Sequence, residues 1–383
     1  MSCWFCFPSF PSPENIGLLF LFFLLFGRIS YWVLFSVLLK YKKKSNSHSD
    51  FSPAVSVVIA ARNEAGNLEK FLPKVLEQDY PQYEVIVVNH ASIDDTDMVL
   101  KRFEQKYKHL TVRTLKNDSI SGFGKKLPLT LGIKAAKYDY LLLTDADCFP
   151  NSNQWIKTMI APLEHNDFVL GYGGFLKQPL FINRLVRYDT VQSALLYLSV
   201  ALKSKPYMAV GRNLAYRKSV FFKAKGFASH SYIAGGDDDL LVNQMATKKN
   251  TAIQIVPESF TYSTAVSSFR EWHRSKSRHL TSSTRYSIFQ KINLATESFF
   301  RFALLPAIVL YVSLFPHNFL CPIIIFTIDI FLKIILLKKL YRLFYEEDFL
   351  VYSIIFDIIA PLLIAIQLLT NQFKKQPSQW KKK

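Results

Sequence analysis

The chain has 383 residues, half of them hydrophobic and 15% aromatic, with 47 Lys and Arg against 29 Asp and Glu, a formal charge of +18. That is too apolar for one soluble domain, and the apolar residues gather at the two ends, leaving 51–281 as ordinary globular sequence long enough for one sizeable core. The basic residues cluster beside apolar stretches, at Lys40–Lys44, Lys338–Arg342 and Lys374–Lys383. This favours a membrane surface over a nucleic-acid partner, for which no zinc-finger or helix-turn-helix pattern is present. Cys3, Cys6, Cys148 and Cys321 offer no disulfide framework, and no zinc spacing beyond one Cys-x-x-Cys pair.

Taken in order, Ile16–Leu39 is apolar enough for one bilayer crossing of about 24 residues. It lacks the basic start and small-residue cleavage site of a signal peptide. The lysines that follow put the amino terminus outside and the middle of the chain in the cytoplasm. Arg28 falls near mid-span, a costly place unless it faces other helices. Ser45–Pro53 reads as a linker.

Ala54–Ala61 is a first strand, followed by the polar loop 62–67 and a helix over Leu68–Gln78, which Pro73 should kink or shorten. Glu84–Asn89 is a second strand and His90–Thr96 a loop opening the next helix. A third strand lies near Thr111–Leu115. The glycine-rich, basic stretch Ser121–Lys126 leads into a helix reaching Lys137. Leu141–Leu143 is a buried strand ended by Pro150, with Asp145 and Asp147 just past its carboxyl end. Strands alternating with helices predict a mostly parallel sheet covered on both faces. Further on, Phe168–Gly174 reads as a strand and Val210–Arg217 as a turn into a strand edge. Gly235–Leu240 opens a helix running to about Lys248, Thr251–Pro257 is a strand, and Ser268–Leu280 is a basic helix. Three apolar spans close the chain: Phe299–Phe315, Phe319–Leu337, and Phe349–Thr370 with Asp357 and Pro361 inside it. Three crossings there would put the lysine-rich tail outside, against the positive-inside rule. Either one span is re-entrant or interfacial, or the tail breaks the rule.

Two carboxylates at the carboxyl edge of a parallel sheet lie where such sheets bind ligands. Asp145 and Asp147 make a hard, oxygen-rich site suited to a divalent cation. Two solvated acids, or a helix cap, are the plainer account. Asp237, Asp238 and Asp239 crowd together at a helix start, where mutual repulsion should raise at least one pKa and supply a general base. Capping of the helix dipole is the alternative.

The pieces VSVVIAARNEAGNL, EVIVVNHASIDDT, GKKLPLTLGIKAA, LLLTDADC, GGDDDL and SKSRH, in that order between Ser56 and about Leu280, resemble a membrane-anchored family 2 glycosyltransferase. The resemblance implies an α/β fold of the GT-A type, a Rossmann-like nucleotide-diphospho-sugar transferase domain, in the cytoplasm and flanked by transmembrane helices. It divides the chain into an anchor at 1–44, a catalytic domain at 45–281 and a membrane region of two or three helices at 282–383. It implies Mn2+ or Mg2+ on Asp147 and Asp145, with Asp145 facing the ribose or sharing the ion. Donor contacts are assigned to Ala61, Asn63, Glu64, Asn89, His90, Lys125, Asp145 and Arg278. Asp237 is the expected base and Asp238 the reserve.

Two departures stand out. The family's Gln-x-x-Arg-Trp element reads Ser275-Lys276-Ser277-Arg278-His279, keeping only the arginine, which argues against a processive synthase. An Asp-Asp pair after the second strand is replaced by Asn89-His90, where His90 can still hydrogen-bond a base by a different donor and acceptor pattern; either the nucleotide is not uridine, or the contact has moved to Glu64 or Asp94. The expected activity is inverting transfer from a nucleotide sugar to a lipid-linked or glycan acceptor at the inner or plasma membrane. A polysaccharide synthase and a non-catalytic membrane scaffold are the rivals.

Overall fold

The computed structural model describes residues 11–42, 51–116, 124–233 and 235–372. Cys3, Cys6, Lys43, Lys44, Ser121–Phe123 and Lys374–Lys383 lie outside the described residues. A long apolar helix, α1 (Pro13–Lys42), leads into the domain. There β1 (Val55–Ala61), α2 (Ala65–Leu76), β2 (Tyr83–His90), α3 (Thr96–Lys106), β3 (Leu110–Leu115), α4 (Lys126–Ala135) and β4 (Tyr140–Asp145) alternate as expected. They are followed by β5 (Cys148–Pro150), α5 (Trp155–Ile160), β6 (Phe168–Leu170), β7 (Gly173–Phe175) and α6 (Phe181–Lys203). Then come β8 (Leu214–Arg217), α7 (Lys218–Lys223), α8 (Asp239–Met245), β9 (Thr251–Ile253), β10 (Thr261–Ser263) and α9 (Phe269–Ser282). Three long helices end the described chain: α10 (Ile288–Leu314), α11 (Leu320–Leu343) and α12 (Phe349–Gln372).

A seven-stranded sheet has the order β3-β2-β1-β4-β8-β6-β9. The first four are mutually parallel, and β8 runs antiparallel to both its neighbours. Every residue of β1 is buried, which is why it reads as an apolar run rich in β-branched residues and interrupted only by Ser56. Alternate side chains serve two cores. Val58, Ala60, Ile86, Val88, Leu141 and Leu143 join one, while Val57, Ile59, Val85, Val87 and Leu142 join the other. Helix α4 lies close on the first face because Gly132 has no side chain; a Cβ there would come within 2.6 Å of Val58.

Several expectations shift. Pro150 does not end the Asp-x-Asp strand; β4 stops at Asp145, and Cys148–Pro150 is a strand of a second sheet, β5-β10-β7. The single strand expected at 168–174 is split between the two sheets, as β6 and β7. The strand at 214–217 is interior rather than at an edge. His90 closes β2 instead of starting a loop. Helix α2 passes through Pro73 and ends three residues later, its buried face of Leu68, Phe71, Leu72, Val75 and Leu76 outweighing the lost bond. Helix α8 stops at Met245 and β9 at Ile253, both short of the expected ends. Helix α6, 23 residues and mostly buried, has no counterpart among the elements expected from the sequence.

Four helices, α1, α10, α11 and α12, are long and apolar enough to cross a membrane. Arg28 does face other helices. Its Nε lies 2.8 Å from Asp329, its Nη2 lies 3.0 Å from Asp357, and its Nη1 donates to the Arg301 carbonyl at 2.8 Å. Lys333 pairs with Asp357 at 2.7 Å and Arg301 with Glu297 at 3.3 Å. Tyr188 of α6 donates to Asp357 as well.

Candidate active site

The turn that carries the chain from the large sheet to the small one displays both carboxylates of the Asp-x-Asp motif. Donor atoms of Asp145, Asp147 and Cys148 lie within 4.8 Å of one another. Burial, then the charge of Asp145, raises the Asp147 carboxyl above the ordinary aspartate range. The same two causes, burial and the neighbouring carboxylates, hold the Cys148 thiol well up, so it stays neutral. Its sulfur donates to Asp147 at 3.5 Å.

Lys125 stands immediately before α4. Its ammonium bonds the Asp145 carboxylate and lies 3.3 Å from that of Asp237. Burial works against its charge, but the carboxylates outweigh burial and raise its pKa. One cation thus joins acids from positions 145 and 237.

The acid-rich turn is built from its glycines. Gly236 has φ +83°, a left-handed conformation that favours glycine. At Gly235 a Cβ would come within 2.9 Å of the Arg278 carbonyl. Lys126, buried, donates to the carbonyls of Ile233 and, at 2.5 Å, Gly235. Asp238 caps α8, accepting from the Asp239 amide at 2.9 Å and also from the Gly211 amide. Asp239 is buried and accepts from Ser282 at 2.5 Å and Tyr286 at 2.9 Å. The three acids therefore differ. Burial pushes Asp237 up, but Lys125, its own backbone amide and Lys126 prevail and lower it. Burial, then Asp237 and Asp239, raise Asp238 well above the ordinary range. Burial also raises Asp239, against the bonds from Ser282 and Tyr286. The repulsion falls on Asp238 and Asp239, and the capping role on Asp238.

The remaining predicted residues line the same carboxyl edge. In the sheet register Ala60 pairs with Asp145 and Ala61 with Asn89. Asn63, at φ 52°, donates its amide to Ser92 at 3.0 Å and accepts from Ile93 at 2.9 Å. Glu64 is buried, with Asn67 donating to it at 2.6 Å. Asn89 accepts from Ser92 at 2.6 Å, and His90 is buried beside it. Asp94 is engaged by Thr96 and the Ala65 amide. Arg278 meets the acid turn through its carbonyl, against Gly235.

Arg212 belongs to the site although no sequence motif marks it. Its guanidinium lies 4.4 Å over the Phe175 ring, and its charge acts on Asp147 and Cys148. Thr144 of β4 and Thr261 of β10 both donate to its carbonyl at 3.0 Å. A basic residue heading the strand beside an Asp-x-Asp strand would have been the signal, had the β4–β8 pairing been visible.

Residues 56–223 match the family described as glycosyl transferase family 2. Glycosyltransferase AglE of Haloferax volcanii is 30% identical over 189 residues, covering 48% of this chain and 59% of that protein. Poly-beta-1,6-N-acetyl-D-glucosamine synthase of Staphylococcus aureus is 29% identical over 125 residues, covering 30% of this chain and 29% of that one. The matches span less than two thirds of the length of these relatives. Among solved structures, mannosyltransferase PcManGT of Pyrobaculum calidifontis, in complex with GDP-Man and Mn2+, shares the fold with a TM-score of 0.55. Its identity is 19%, over 90% of this chain and 98% of that one. The domain that carries residues 56–223 is thus similar to glycosyltransferases of family 2, and its α/β architecture is the GT-A fold.

Proposed function

We propose that the protein transfers a sugar, with inversion, from a nucleotide-sugar donor to a lipid-linked or glycan acceptor. The observation that carries this reading is Lys125 held between Asp145 and Asp237, because it sets a cation-binding carboxylate pair and a proton-accepting carboxylate around one edge of the sheet. Asp145 and Asp147 suit Mn2+ or Mg2+ by their oxygen donors, and their mutual repulsion is what a cation relieves. When bound, such an ion offsets the charge growing on the departing diphosphate. Lys125 adds a point charge for the phosphates, and Arg278 a second. Asp237, ionised at neutral pH, accepts the proton of the acceptor hydroxyl. Asp238 is the reserve, but it keeps its own proton further up the pH scale. Ala61, Asn63, Glu64, Asn89 and His90 form the nucleotide side, where His90 offers a different donor pattern from an aspartate.

In this reading 1–44 is an anchor, 45–281 the catalytic domain and 282–383 the membrane region, with the domain on the cytoplasmic side of the inner or plasma membrane. The resemblance to AglE, named a glycosyltransferase, and to a poly-N-acetylglucosamine synthase supports sugar transfer. GDP-mannose, UDP-N-acetylglucosamine, GDP and UDP are the probes to use first. Each nucleotide should raise the melting temperature of the purified protein more with Mn2+ than without, since ligands of the folded state stabilise it. Slow donor hydrolysis should disappear in Asp147→Ala. No shift with any nucleotide, in protein that is folded and binds Mn2+, would sink the reading in favour of a scaffold. The second reading, a processive synthase, is favoured by the Staphylococcus aureus relative. Product length separates the two: one added sugar or a ladder.

A further inference from the structure

The four long apolar helices differ in where their ends lie. Helices α1, α10 and α11 each run from the catalytic domain to a shared distal tip. At the domain end, Tyr41 of α1 donates to the Ile253 carbonyl at 3.2 Å. Gln290 of α10 accepts from Asn243 at 3.0 Å. Phe344, capping α11, has its ring centre 4.5 Å from that of Tyr172. At the far end Glu14 of α1 accepts from Asn318 at 2.7 Å and lies 3.3 Å from His317, in the turn between α10 and α11. Leu21, Leu24, Leu304, Ile308 and Ile325 fill the space between the three helices there.

Helix α12 is different, because both its ends meet the domain. At its start Asp348 pairs with Arg187 at 2.8 Å, and Phe349 lies 6.1 Å from Tyr188, ring to ring, both partners on α6. Near its close Gln367 donates to the His273 carbonyl at 2.5 Å and to Ser277 at 2.6 Å, both on α9. Helices α6 and α9 are themselves joined by Lys276 and Asp189 at 2.6 Å. From Phe349 to Gln367 is about 27 Å along a helix axis, close to the hydrocarbon thickness of a bilayer, roughly 30 Å. A helix standing across the bilayer cannot keep both ends on a domain that lies at one face.

Its two faces agree. Ser353, Asp357 and Gln367 are buried toward the protein, with Phe356 and Ala360. Val351, Ile355, Leu362, Ile366 and Leu369 are exposed, at successive spacings that keep them on one stripe. An apolar stripe facing outward, with the polar stripe satisfied by protein, suits a helix lying against acyl chains at the interface.

We propose that α12 lies in the plane of the membrane, between the domain and the lipid, and that only α1, α10 and α11 cross. The chain then crosses twice after the domain rather than three times, and its carboxyl end returns to the catalytic side. The conflict between Lys374–Lys383 and the positive-inside rule disappears.

The test is sidedness, read in sealed membrane vesicles with an impermeant maleimide before and after permeabilisation. In a background with Cys3, Cys6, Cys148 and Cys321 replaced by serine, single cysteines are introduced as Lys249→Cys in the domain, His317→Cys at the distal tip and Thr370→Cys at the end of α12. The expected result is that Thr370→Cys labels with Lys249→Cys and opposite to His317→Cys. Labelling of Thr370→Cys together with His317→Cys overturns the proposal. A carboxyl-terminal epitope tag on the otherwise unaltered chain gives the same answer without cysteine replacement: antibody access from the side of the domain supports the proposal, and access from the other side overturns it. Neither readout depends on the chain being a sugar transferase, so failure here leaves the proposed activity standing, and the reverse holds too.

Discussion

Two of the charged clusters among the described residues are built on opposite principles. Among the long apolar helices Arg28, Arg301 and Lys333 meet Glu297, Asp329 and Asp357, three cations for three acids. Their side chains are at most 11% exposed, and each charge has its counter-charge in contact. At the sheet edge Asp145, Asp147, Asp237, Asp238 and Asp239 face Lys125, Lys126 and Arg212, an excess of two acids. Asp145 there is 32% exposed. A closed, neutral cluster resists change, since each charge removed strands another. An open cluster with more acids than cations repels itself, and it relieves that repulsion by keeping a proton, as Asp238 does, or by taking up a cation. Balance marks the cluster that holds helices together, and imbalance marks the one left to receive a ligand.

The comparison breaks most sharply on activity. Asp237→Asn should lower the rate of transfer by about 10²–10⁴-fold, the usual contribution of a general base, with a loss of stability smaller than the loss of rate because Lys125 keeps its bond to Asp145. Arg28→Leu should do the opposite. It strands Asp329 beside Asp357 in an apolar setting, at a cost of about 3–5 kcal/mol. Thermal unfolding in detergent measures this, and the double variant Arg28→Leu with Asp329→Leu should recover much of the loss. If Arg28→Leu is neutral, the cluster among the long apolar helices is not a closed network. A smaller effect is expected where the two regions are tied together. Ser282→Ala and Tyr286→Phe each remove a donor to the buried carboxylate of Asp239, worth about 1.5–3 kcal/mol for a charged partner. Because Asp239 positions the turn and does not bind the donor, kcat should fall while the donor KM stays put. A parallel rise in KM would place Asp239 in the donor site instead.

How much of this was legible depended on sequence distance. The strands β1, β2 and β4 each carry a short apolar core, at 57–61, 85–88 and 141–143, so each could be read from its own residues, and with them the carboxyl edge bearing Asp145 and Asp147. Arg28 announced its need for partners by its place in an apolar span. Helix α6 did not announce itself. It is buried on most sides, so it shows no clean polar stripe, and its polar residues are satisfied from far away: Arg187 by Glu346, Gln192 by Tyr341, Asp189 by Lys276. Arg212 was hidden for the same reason, since its strand reverses direction to pair with β4. Length and apolarity described α12 as a crossing, and only its contacts at both ends distinguish it from α10 and α11. Nor could crowding in Gly236-Asp237-Asp238-Asp239 say which acid would be spared, because the answer comes from Lys125, more than a hundred residues earlier.

The smallest expected effect concerns the proton on Asp238 and is read through pH. Asp238 is raised, so between the unfolded pKa, about 3.9, and its folded pKa the native protein holds a proton that the unfolded chain has lost. Stability from this group is therefore fully present below about pH 4 and declines as pH rises through the folded pKa, by about 1.4 kcal/mol for each pH unit that separates the two values. Asp237 is lowered, so its contribution has the other sign, present above the unfolded pKa and lost as pH falls. Asp238→Asn removes the first dependence and leaves the second. The substitution also gives up one of two acceptors, since the Gly211 and Asp239 amides donate to different oxygens of Asp238. That loss costs about 1 kcal/mol at every pH. The informative quantity is thus the slope, not the offset. In the absence of divalent cation, melting temperature plotted against pH from about 5 to 8, the range spanned by a raised carboxyl, should fall less steeply in Asp238→Asn than in the unaltered protein. Equal slopes would mean that Asp238 is ionised throughout, and that the excess negative charge at the sheet edge is borne without a proton.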